Sequence, residues 1–173
     1  STNHIGAEIN IDDAIRGSIE MPANDQDFVI LKKDGLPTYH MAHLVDDFLM
    51  GTTDVLRGDE WISSLPIHHD LFRAFGYQIP RYGHIAPIQK IDNGNKRKLS
   101  KRKDPEASVD YYNTVGYPES AVIEYLMNLA DSRFESWRME NIDADISSFK
   151  LNPSGLGGGG PLFDEIKLRD ISK

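Results

Sequence analysis

The residues of this chain best suited to chemistry form a basic segment that runs from Lys90 to Lys103. Seven of the 19 lysines and arginines of the chain lie in this segment, together with one acid, Asp92. Its central pentapeptide, Lys98–Arg102, places two lysines three residues apart. Lysines on a mobile loop stabilise the negative charge of phosphates, so the segment predicts a site for a polyanion such as triphosphate. A solvated basic turn or a nuclear-import patch would have the same composition.

The composition of the whole chain limits what this segment can do. The 173 residues carry a formal net charge of −8, which argues against a protein that coats nucleic acid through diffuse electrostatics. It does not argue against a protein that recognises one end of a folded RNA through a few placed residues. The sequence has no cysteine, which excludes disulfides and thiolate zinc sites. No apolar run approaches about 18 residues, so we predict no membrane-spanning segment and no membrane partner.

The elements that precede the basic segment must position its partners, and they alternate in type. Short apolar runs predict strands at 28–31, 54–57 and 82–88. Apolar residues at helical spacing predict helices at 37–50 and from 63 or 64 to 75. This strand–helix order predicts a parallel α/β unit. The isoleucines between 9 and 19 also suggest strands, but the sequence shows no pairing partner for them.

A parallel α/β unit binds its ligands beyond the carboxyl ends of its strands. The predicted topology therefore brings three stretches to one edge of the sheet, although they are far apart along the chain. They are the stretch Tyr39–His43, the turn Arg57–Trp61 and the pentapeptide Lys98–Arg102. We predict that these stretches share one crevice.

The chain becomes predominantly helical after Lys103. Helices are predicted at 105–115, 118–129, 132–141 and 162–171. We therefore expect three parts, with boundaries at 1–26, 27–103 and 104–173, the last of them a small helical subdomain.

Four blocks in a fixed order resemble glutamyl-tRNA synthetase, a class I aminoacyl-tRNA synthetase. They are Gly35–Ala42, Val45–Asp47, Val55–Trp61 and the pentapeptide Lys98–Arg102, which is similar to the family's KMSKS loop. The resemblance implies an α/β fold: the C-terminal half of a Rossmann-like parallel nucleotide-binding sheet, followed by a small all-helical stem-contact subdomain. Residues 1–26 would be the end of the acceptor-binding insertion, and 27–103 the second half of the catalytic domain.

The resemblance also implies a ligase reaction in two steps. Glutamate and ATP form glutamyl-adenylate, and the acyl group then passes to the 3′ end of tRNA(Glu). ATP would enter with Mg²⁺, and no protein-bound metal is expected in this segment. The parent enzyme is expected to be a cytoplasmic monomer.

Through the resemblance, Lys98, Ser100 and Lys101 are the expected catalytic residues. Lys101 is the first choice for the cation that stabilises the transferring phosphates, and Ser100 would donate a hydrogen bond to them. Ile88 would offer backbone groups to the adenine. For Trp61, the alternative to a place in the pocket is packing in the hydrophobic core. The expected ATP-binding residues are Lys98, Lys101, Arg102, Glu60, Trp61 and Ile88.

The expected glutamate-binding residues are Tyr39, His43 and Arg57. An arginine fork matches a carboxylate with two hydrogen bonds, and the resemblance places Arg57 against the glutamate side chain. Its alternative is a strand-end salt bridge, for instance to Asp59. His43 stands where the family often has asparagine, and a structural histidine on the helix face is its alternative.

Two other polar groups are weaker candidates. Asp46 and Asp47 are adjacent on a predicted helix and so do not face each other, which disfavours an acid–base pair. The same geometry disfavours a metal site at His68, His69 and Asp70.

The string from His4 to Ala7 is similar to the HIGH signature of class I synthetases, but the strand and helix that flank this signature are not predicted around it. We therefore expect the chain to be a fragment without the HIGH half of the ATP site. As an isolated piece, it is expected to show negligible aminoacylation.

Two other functions remain open. One is the related tRNA-modifying enzyme, glutamyl-queuosine synthetase, which attaches glutamate to a modified base. The other is a non-catalytic RNA- or nucleotide-binding module that uses the basic segment as an electrostatic contact.

Overall fold

A computed structural model describes residues 7–152, 155–156 and 159–173 of the chain. It divides into two compact units, residues 1–84 and residues 85–173, which are called the first and second unit below. Most of the HIGH-like string, from His4 to Gly6, lies outside the described residues. The domain limits expected from the sequence stay predictions.

The first unit combines a small sheet with two α-helices. Its sheet has the strand order β2–β1–β4–β3, in which β1 is antiparallel to β2 and parallel to β4. The parallel pair sets Asp13 opposite Tyr82. The α/β class expected from the sequence is confirmed. The elements are β1 (Glu8–Asp13), β2 (Gly17–Pro22), α1 (Tyr39–Met50), β3 (Asp54–Gly58), a 3₁₀ helix (Asp59–Ser64), α2 (Leu65–Phe75) and β4 (Arg81–Ile85).

Two predictions for this unit are wrong: the strand at residues 28–31, and the lack of a pairing partner for the isoleucine-rich strands. Residues 28–31 form no strand, and only an isolated bridge joins Leu31 to Pro37. Phe28 and Ile30 pack singly against the helices, while Val29 is 65% exposed. The apolar run therefore reflects packing of individual side chains. The isoleucine-rich strands β1 and β2 do have partners, because they pair with each other and β1 also pairs with β4.

The two helices end where glycines follow them, as the sequence predicts. Gly51 and Gly76 have φ angles of 66° and 69°, and their backbone N–H groups donate to carbonyls of the last helical turn. This left-handed conformation is favourable for glycine and satisfies carbonyls that the helix leaves without partners. Pro66 lies in the first turn of α2, where its missing N–H has no cost.

The core of the first unit lies on both sides of α2. One cluster joins Ile11, Leu65 and Tyr82, and thus joins β1 and β4 to the start of α2. Burial of each such side chain contributes about 1.5–3 kcal/mol. The second cluster, which joins α1 to α2, consists of Leu44, Leu71 and Phe72.

The second unit begins with a hairpin, where the sequence predicts a loop. Strands β5 (Gln89–Asp92) and β6 (Asn95–Lys98) pair in antiparallel register. Asn93 and Gly94 connect them with φ angles of 49° and 80°, which the tight turn of a two-residue hairpin requires. Asn-Gly between two strand-like runs is the signal that predicts this turn.

The α-helices of the second unit lie between residues 109 and 140 and at its end, in agreement with the predicted helical character, whereas the described residues between 141 and 164 are mostly irregular. The apolar side chains Tyr125, Phe134 and Leu168 are fully buried there. The last helix begins later than predicted, because Asp164 caps it by accepting hydrogen bonds from the N–H groups of Ile166 and Lys167. The α-helices are α3 (Val109–Val115), α4 (Glu119–Ala130), α5 (Phe134–Glu140) and α6 (Glu165–Ile171), with short 3₁₀ helices at Pro105–Ala107 and Ile146–Ser148.

Among the described residues, no helix is both long enough and apolar enough to cross a membrane.

Candidate functional site

Arg57, near the end of β3, is surrounded by neutral hydrogen-bond acceptors. Its Nε donates to His84 Nε2 at 2.9 Å, and its Nη1 donates to His68 Nδ1 at 3.1 Å. Its Nη2 donates to the carbonyl of Trp61 at 3.3 Å. Arginine has five N–H donors, so one N–H on each terminal nitrogen has no partner among the described residues.

No carboxylate of the described residues lies within ion-pair distance of Arg57. The alternative in which Arg57 pairs with Asp59 is therefore wrong. Asp59 instead accepts a hydrogen bond from Arg16 Nη2 at 2.8 Å. Arg57 thus keeps a positive charge that no acidic side chain of the described chain neutralises.

His84 connects Arg57 to a buried aspartate. His84 Nδ1 lies 2.5 Å from Asp13 Oδ2, and both side chains are fully buried. The other carboxylate oxygen of Asp13 accepts from the backbone N–H groups of Ile15, Arg16 and His84, at 3.0, 2.9 and 3.2 Å. Burial alone would raise the pKa of Asp13, but the hydrogen bonds from His84 and the backbone hold this pKa below its ordinary value.

The partners of His84 define its tautomer. Because Nε2 accepts from Arg57, the proton must lie on Nδ1, from which it is donated to Asp13. Burial lowers the pKa of His84; the hydrogen bond to Asp13 opposes this effect and the charge of Arg57 reinforces it. The imidazole is therefore neutral at pH 7.

A second neutral histidine contacts Arg57 from α2. His68 is fully buried, and its Nε2 lies 3.0 Å from His40 Nδ1. Burial, together with His43 and Arg57, lowers the pKa of His68 to about 2. His68 therefore accepts from Arg57 at Nδ1 and donates to His40 at Nε2.

Aromatic rings form one side of this cluster. Tyr39 stacks on Trp61 with a centroid distance of 4.2 Å, and it lies parallel to His43 at 6.0 Å. The guanidinium carbon of Arg57 lies 4.9 Å from the centroid of the Tyr82 ring. The structure thus brings Tyr39, His43, Arg57 and Trp61 together in the first unit.

Both ring nitrogens of His43 have protein partners. Nδ1 lies 2.5 Å from Asp47 Oδ2, one turn further along α1, and Nε2 lies 2.9 Å from the hydroxyl of Tyr82. Burial lowers the pKa of His43, although Asp47 opposes this effect. These contacts favour the structural alternative for His43, and its contact with glutamate stays a prediction.

Glu60 lies on the 3₁₀ helix after β3, and its side chain folds back over Gly58. A Cβ placed on Gly58 would lie 2.1 Å from the Glu60 carboxylate. The nucleotide role of Glu60 stays a prediction.

The pentapeptide Lys98–Arg102 begins at the last residue of β6 in the second unit, and Asp104, two residues beyond its end, fixes its start. Asp104 accepts hydrogen bonds from Arg97 Nη1 and Nη2, at 2.6 and 2.8 Å, and from the backbone N–H of Ser100, at 2.8 Å. The carbonyl of Ser100 accepts from the N–H groups of Lys103 and Asp104. These bonds close the turn.

The positive charge of the basic segment is smaller than its composition suggests. Lys90 pairs with Glu106, and Arg97 pairs with Asp92 and Asp104. Lys90 and Arg97 therefore have acidic partners within the second unit. The side chains of Lys101, Arg102 and Lys103 are exposed to solvent.

Ile88 is not on a strand, because β4 ends at Ile85 and Pro87 has no N–H to continue a ladder. The carbonyl of Ile88 accepts from the N–H of Leu99 at 2.9 Å. Its side chain lines an apolar cavity of about 250 Å³ with Leu126, Leu129 and Leu156. Its contact with adenine stays a prediction.

Sequence reasoning missed Asp13 and His84, and it considered His68 only as a metal ligand. Among the described residues, no group of three or more His, Asp or Glu side chains can bind a metal ion. A histidine within a predicted strand, as at His84, is the signal that could have drawn attention to the pair.

The chain matches the sequence profile of a family described as tRNA synthetases class I (E and Q), catalytic domain, over residues 3–146. It is 55% identical over 165 residues to the glutamate–tRNA ligase of Clostridium beijerinckii, covering 95% of this chain and 30% of the relative. It is 47% identical over 183 residues to the glutamate–tRNA ligase of Sorangium cellulosum, covering 98% of this chain and 32% of the relative. The chain thus spans about a third of the length of these relatives.

Solved structures show the same similarity. A crystal structure of a glutamate tRNA ligase from Elizabethkingia meningosepticum, in complex with its amino acid, superposes with a TM-score of 0.75 at 29% identity. The match covers 95% of this chain and 35% of that one. The glutamate-tRNA synthetase of Elizabethkingia anophelis gives a TM-score of 0.72 at 25% identity, over 95% of this chain and 36% of that one.

Proposed function

Because this chain belongs to the class I tRNA synthetases (E and Q), we propose that it is part of a glutamate–tRNA ligase. The ligase activates glutamate with ATP and transfers it to the 3′ end of tRNA(Glu). The proposal extends to a whole enzyme, of which this chain corresponds to about a third by comparison with its relatives.

The environment of Arg57 is the observation that carries this proposal. A partly buried guanidinium with three neutral acceptors and no carboxylate partner among the described residues favours an external anion. Its remaining N–H groups, one on each terminal nitrogen, match the two oxygens of a carboxylate. The side-chain carboxylate of glutamate is the ligand that we assign to Arg57.

The same arrangement accounts for selection against glutamine. A glutamine amide would direct its own N–H groups at the donors of Arg57 and leave buried donors without acceptors. A site built for hydrogen bonds to one group rejects the analogue that lacks it far more strongly than an apolar pocket rejects an extra methylene. Tyr39 would complete the amino-acid site, and a contact of His43 with glutamate would have to replace its bond to Asp47 or to Tyr82.

In the activation step, an oxygen of the α-carboxylate of glutamate attacks the α-phosphorus of ATP, and the bond to the leaving pyrophosphate breaks. Lys98 and Lys101 would stabilise the charge that develops on the phosphates, with Ser100 as a hydrogen-bond donor. Arg102, Glu60, Trp61 and Ile88 would contact the nucleotide. Mg²⁺ would arrive with ATP as part of the substrate.

In the transfer step, a hydroxyl of the terminal adenosine of tRNA attacks the acyl carbon, and AMP leaves. The cytoplasmic location and monomeric state expected for the parent enzyme stay predictions, as does the inactivity of the isolated chain.

ATP–pyrophosphate exchange in the full-length protein that carries this chain tests the proposal. With tRNA present, we expect exchange with glutamate and at least about 1,000-fold weaker exchange with glutamine. Aspartate is the control for side-chain length. Equal exchange with all three amino acids, or none with glutamate, would contradict the proposal.

The acceptor distinguishes the ligase from its alternatives. Radiolabelled glutamate should appear as a base-labile ester at the 3′ end of tRNA. Attachment to a modified base would identify the tRNA-modifying relative instead. Tight tRNA binding with a steep salt dependence and no exchange would identify a non-catalytic module.

A further inference from the structure

We propose that His84 and Asp13 position Arg57, and that this pair determines how tightly and how selectively Arg57 binds the substrate carboxylate. The inference rests on the proposed function, because His84 contacts Arg57, Asp13 contacts His84, and both would act on the substrate only through Arg57. It makes His84 a positioning residue, with Asp13 as the group that orients it.

The backbone of the first unit fixes the position and the orientation of the Asp13 carboxylate. Asp13 is the last residue of β1, and the parallel pairing with β4 places it opposite Tyr82, two residues before His84. Three backbone N–H groups donate to Oδ1 of Asp13, so its carboxylate has one orientation. The second oxygen, Oδ2, then faces His84 Nδ1 at 2.5 Å.

Asp13 thereby determines which nitrogen of His84 carries the proton. A carboxylate can only accept, so the proton of the neutral imidazole lies on Nδ1 and the lone pair lies on Nε2. Arg57 Nε donates to this lone pair at 2.9 Å. The hydrogen bond that His84 donates to Asp13 therefore leaves Nε2 as the acceptor that Arg57 needs.

The pair also keeps the charge of Arg57 available. His84 stands between the guanidinium and the carboxylate of Asp13, so Arg57 has an orienting acceptor without a direct ion pair. His68 and the carbonyl of Trp61 add two more neutral acceptors. A carboxylate in the place of His84 would compete with the substrate carboxylate for the same cation.

Asp13→Asn is the most direct test, because it changes the hydrogen-bond pattern and not the size. The backbone N–H groups can still donate to the amide oxygen, so the amide nitrogen faces His84 Nδ1 and donates to it. The imidazole must then carry its proton on Nε2, where it faces the N–H of Arg57. We expect KM for glutamate to rise at least about 10-fold, with KM for ATP changed less than about 2-fold.

A pair of variants at His84 separates the two contacts. In His84→Asn the amide nitrogen can replace Nδ1 and keep the bond to Asp13, but nothing reaches Arg57. In His84→Gln the longer side chain can place its oxygen near the position of Nε2 and accept from Arg57. We expect KM for glutamate to rise at least 10-fold in the asparagine variant and less than about 3-fold in the glutamine variant. The opposite order would overturn the inference.

Nitrogen-15 NMR of the histidine side chains gives a readout that needs no activity. At pH 7 we expect His84 of the wild-type full-length protein to be neutral with its proton on Nδ1, and Asp13→Asn to move the proton to Nε2. A doubly protonated or Nε2-protonated His84 in the wild type contradicts the inference, even if every variant fails to fold.

The two proposals fail in different ways. If the wild-type full-length protein shows no glutamate-dependent exchange, the proposed function is wrong, whatever the tautomer of His84. If exchange is normal and Asp13→Asn leaves KM for glutamate and the preference over glutamine unchanged, the function stands and the positioning role is wrong.

Discussion

Arg57 is oriented by groups that do not neutralise it, and this separates it from the other arginines near it. Arg16 forms an ion pair with Asp59, and Arg81 forms one with Asp54. A removed ion-pair partner leaves a buried charge without compensation, which is strongly destabilising. Neutral imidazoles avoid this constraint, since they orient a cation while an external carboxylate enters and leaves.

Lys101 is the residue of the pentapeptide whose loss we expect to affect activation most. Lys101→Ala in the full-length protein should lower kcat for ATP–pyrophosphate exchange about 100- to 1,000-fold, because it removes a cation that stabilises developing phosphate charge. Lys96→Ala, an exposed lysine on β6 of the same hairpin, is the matched control and should change kcat less than 3-fold. Equal effects of the two variants would show that only the net charge of the segment matters.

The sequence motifs were sufficient to predict some residues of the candidate site, but not others. Tyr39, Arg57 and Trp61 lie within continuous blocks, and the structure brings them into one cluster. Asp13 and His84 are 71 residues apart, and their contact depends on the pairing of β1 with β4. No local pattern encodes a pairing between such distant strands.

The β5–β6 hairpin is the element that presents the pentapeptide. Its strands place Arg97 where Asp104 and Asp92 can accept from it, and Asp104 in turn accepts from the N–H of Ser100. These hydrogen bonds hold the pKa of Asp104 well below its ordinary value. The basic segment is therefore a structured hairpin and turn, whose exposed lysines follow from its register.

Gly94→Ala tests the hairpin turn. Gly94 has a φ angle of 80°, and nothing lies within 4 Å of a Cβ built on it, so the substitution strains the backbone without a clash. We expect the free energy of unfolding to fall by about 1–2 kcal/mol in chemical denaturation. Asn93→Gly, at a φ of 49°, is the control and should change it by less than about 1 kcal/mol. Unchanged stability of the alanine variant would argue against this turn.

Helices were easier to predict from the sequence than strands. The two glycines that end α1 and α2 were evident, because the left-handed cap has a strong residue preference. The run from Phe28 to Leu31 has the composition of a strand but packs as single side chains onto the helices. Composition alone does not distinguish these two cases.

At the scale of the whole molecule, the fold contains several histidines that are less basic than in an unfolded chain. Burial is the first cause for each of them, and Arg57 contributes to all. The pKa falls to about 2 for His68 and to about 4 for His69. The lowered group consists of His40, His43, His68, His69 and His84.

This group predicts a loss of stability in mild acid. Below pH 6.5 the unfolded chain binds protons that the folded chain does not, so the free energy of unfolding falls as the pH falls. His68 alone should lower it by about 2 kcal/mol between pH 7.5 and pH 5.0, since each pH unit below 6.5 contributes about 1.4 kcal/mol. Asp13, whose pKa is lowered, acts only below its ordinary value of 3.8.

Denaturation curves at pH 7.5 and pH 5.0 measure this effect. His68→Gln should reduce the difference between the two curves, because it removes one of the protons taken up on unfolding. A free energy of unfolding that is the same at both pH values would contradict the neutral histidine cluster.

The α/β class was predictable from the alternation of elements, whereas the position of the parallel pair was not. The parallel pair consists of β1 and β4. The sequence predicts no partner for β1, and it predicts that β4 extends to residue 88, whereas β4 ends at Ile85. Arg57 belongs to the first unit and Lys101 to the second, and the crevice that the sequence predicts for them stays a prediction.

The kinetics of Arg57→Ala in the full-length protein test the central claim most directly, with Arg73→Ala on the exposed face of α2 as the control. We predict that kcat/KM for glutamate in tRNA-dependent exchange falls at least about 1,000-fold in the first variant, and less than 3-fold in the second. Thermal melting should show that both variants are folded. A folded Arg57→Ala variant that activates glutamate at the wild-type rate would contradict the account.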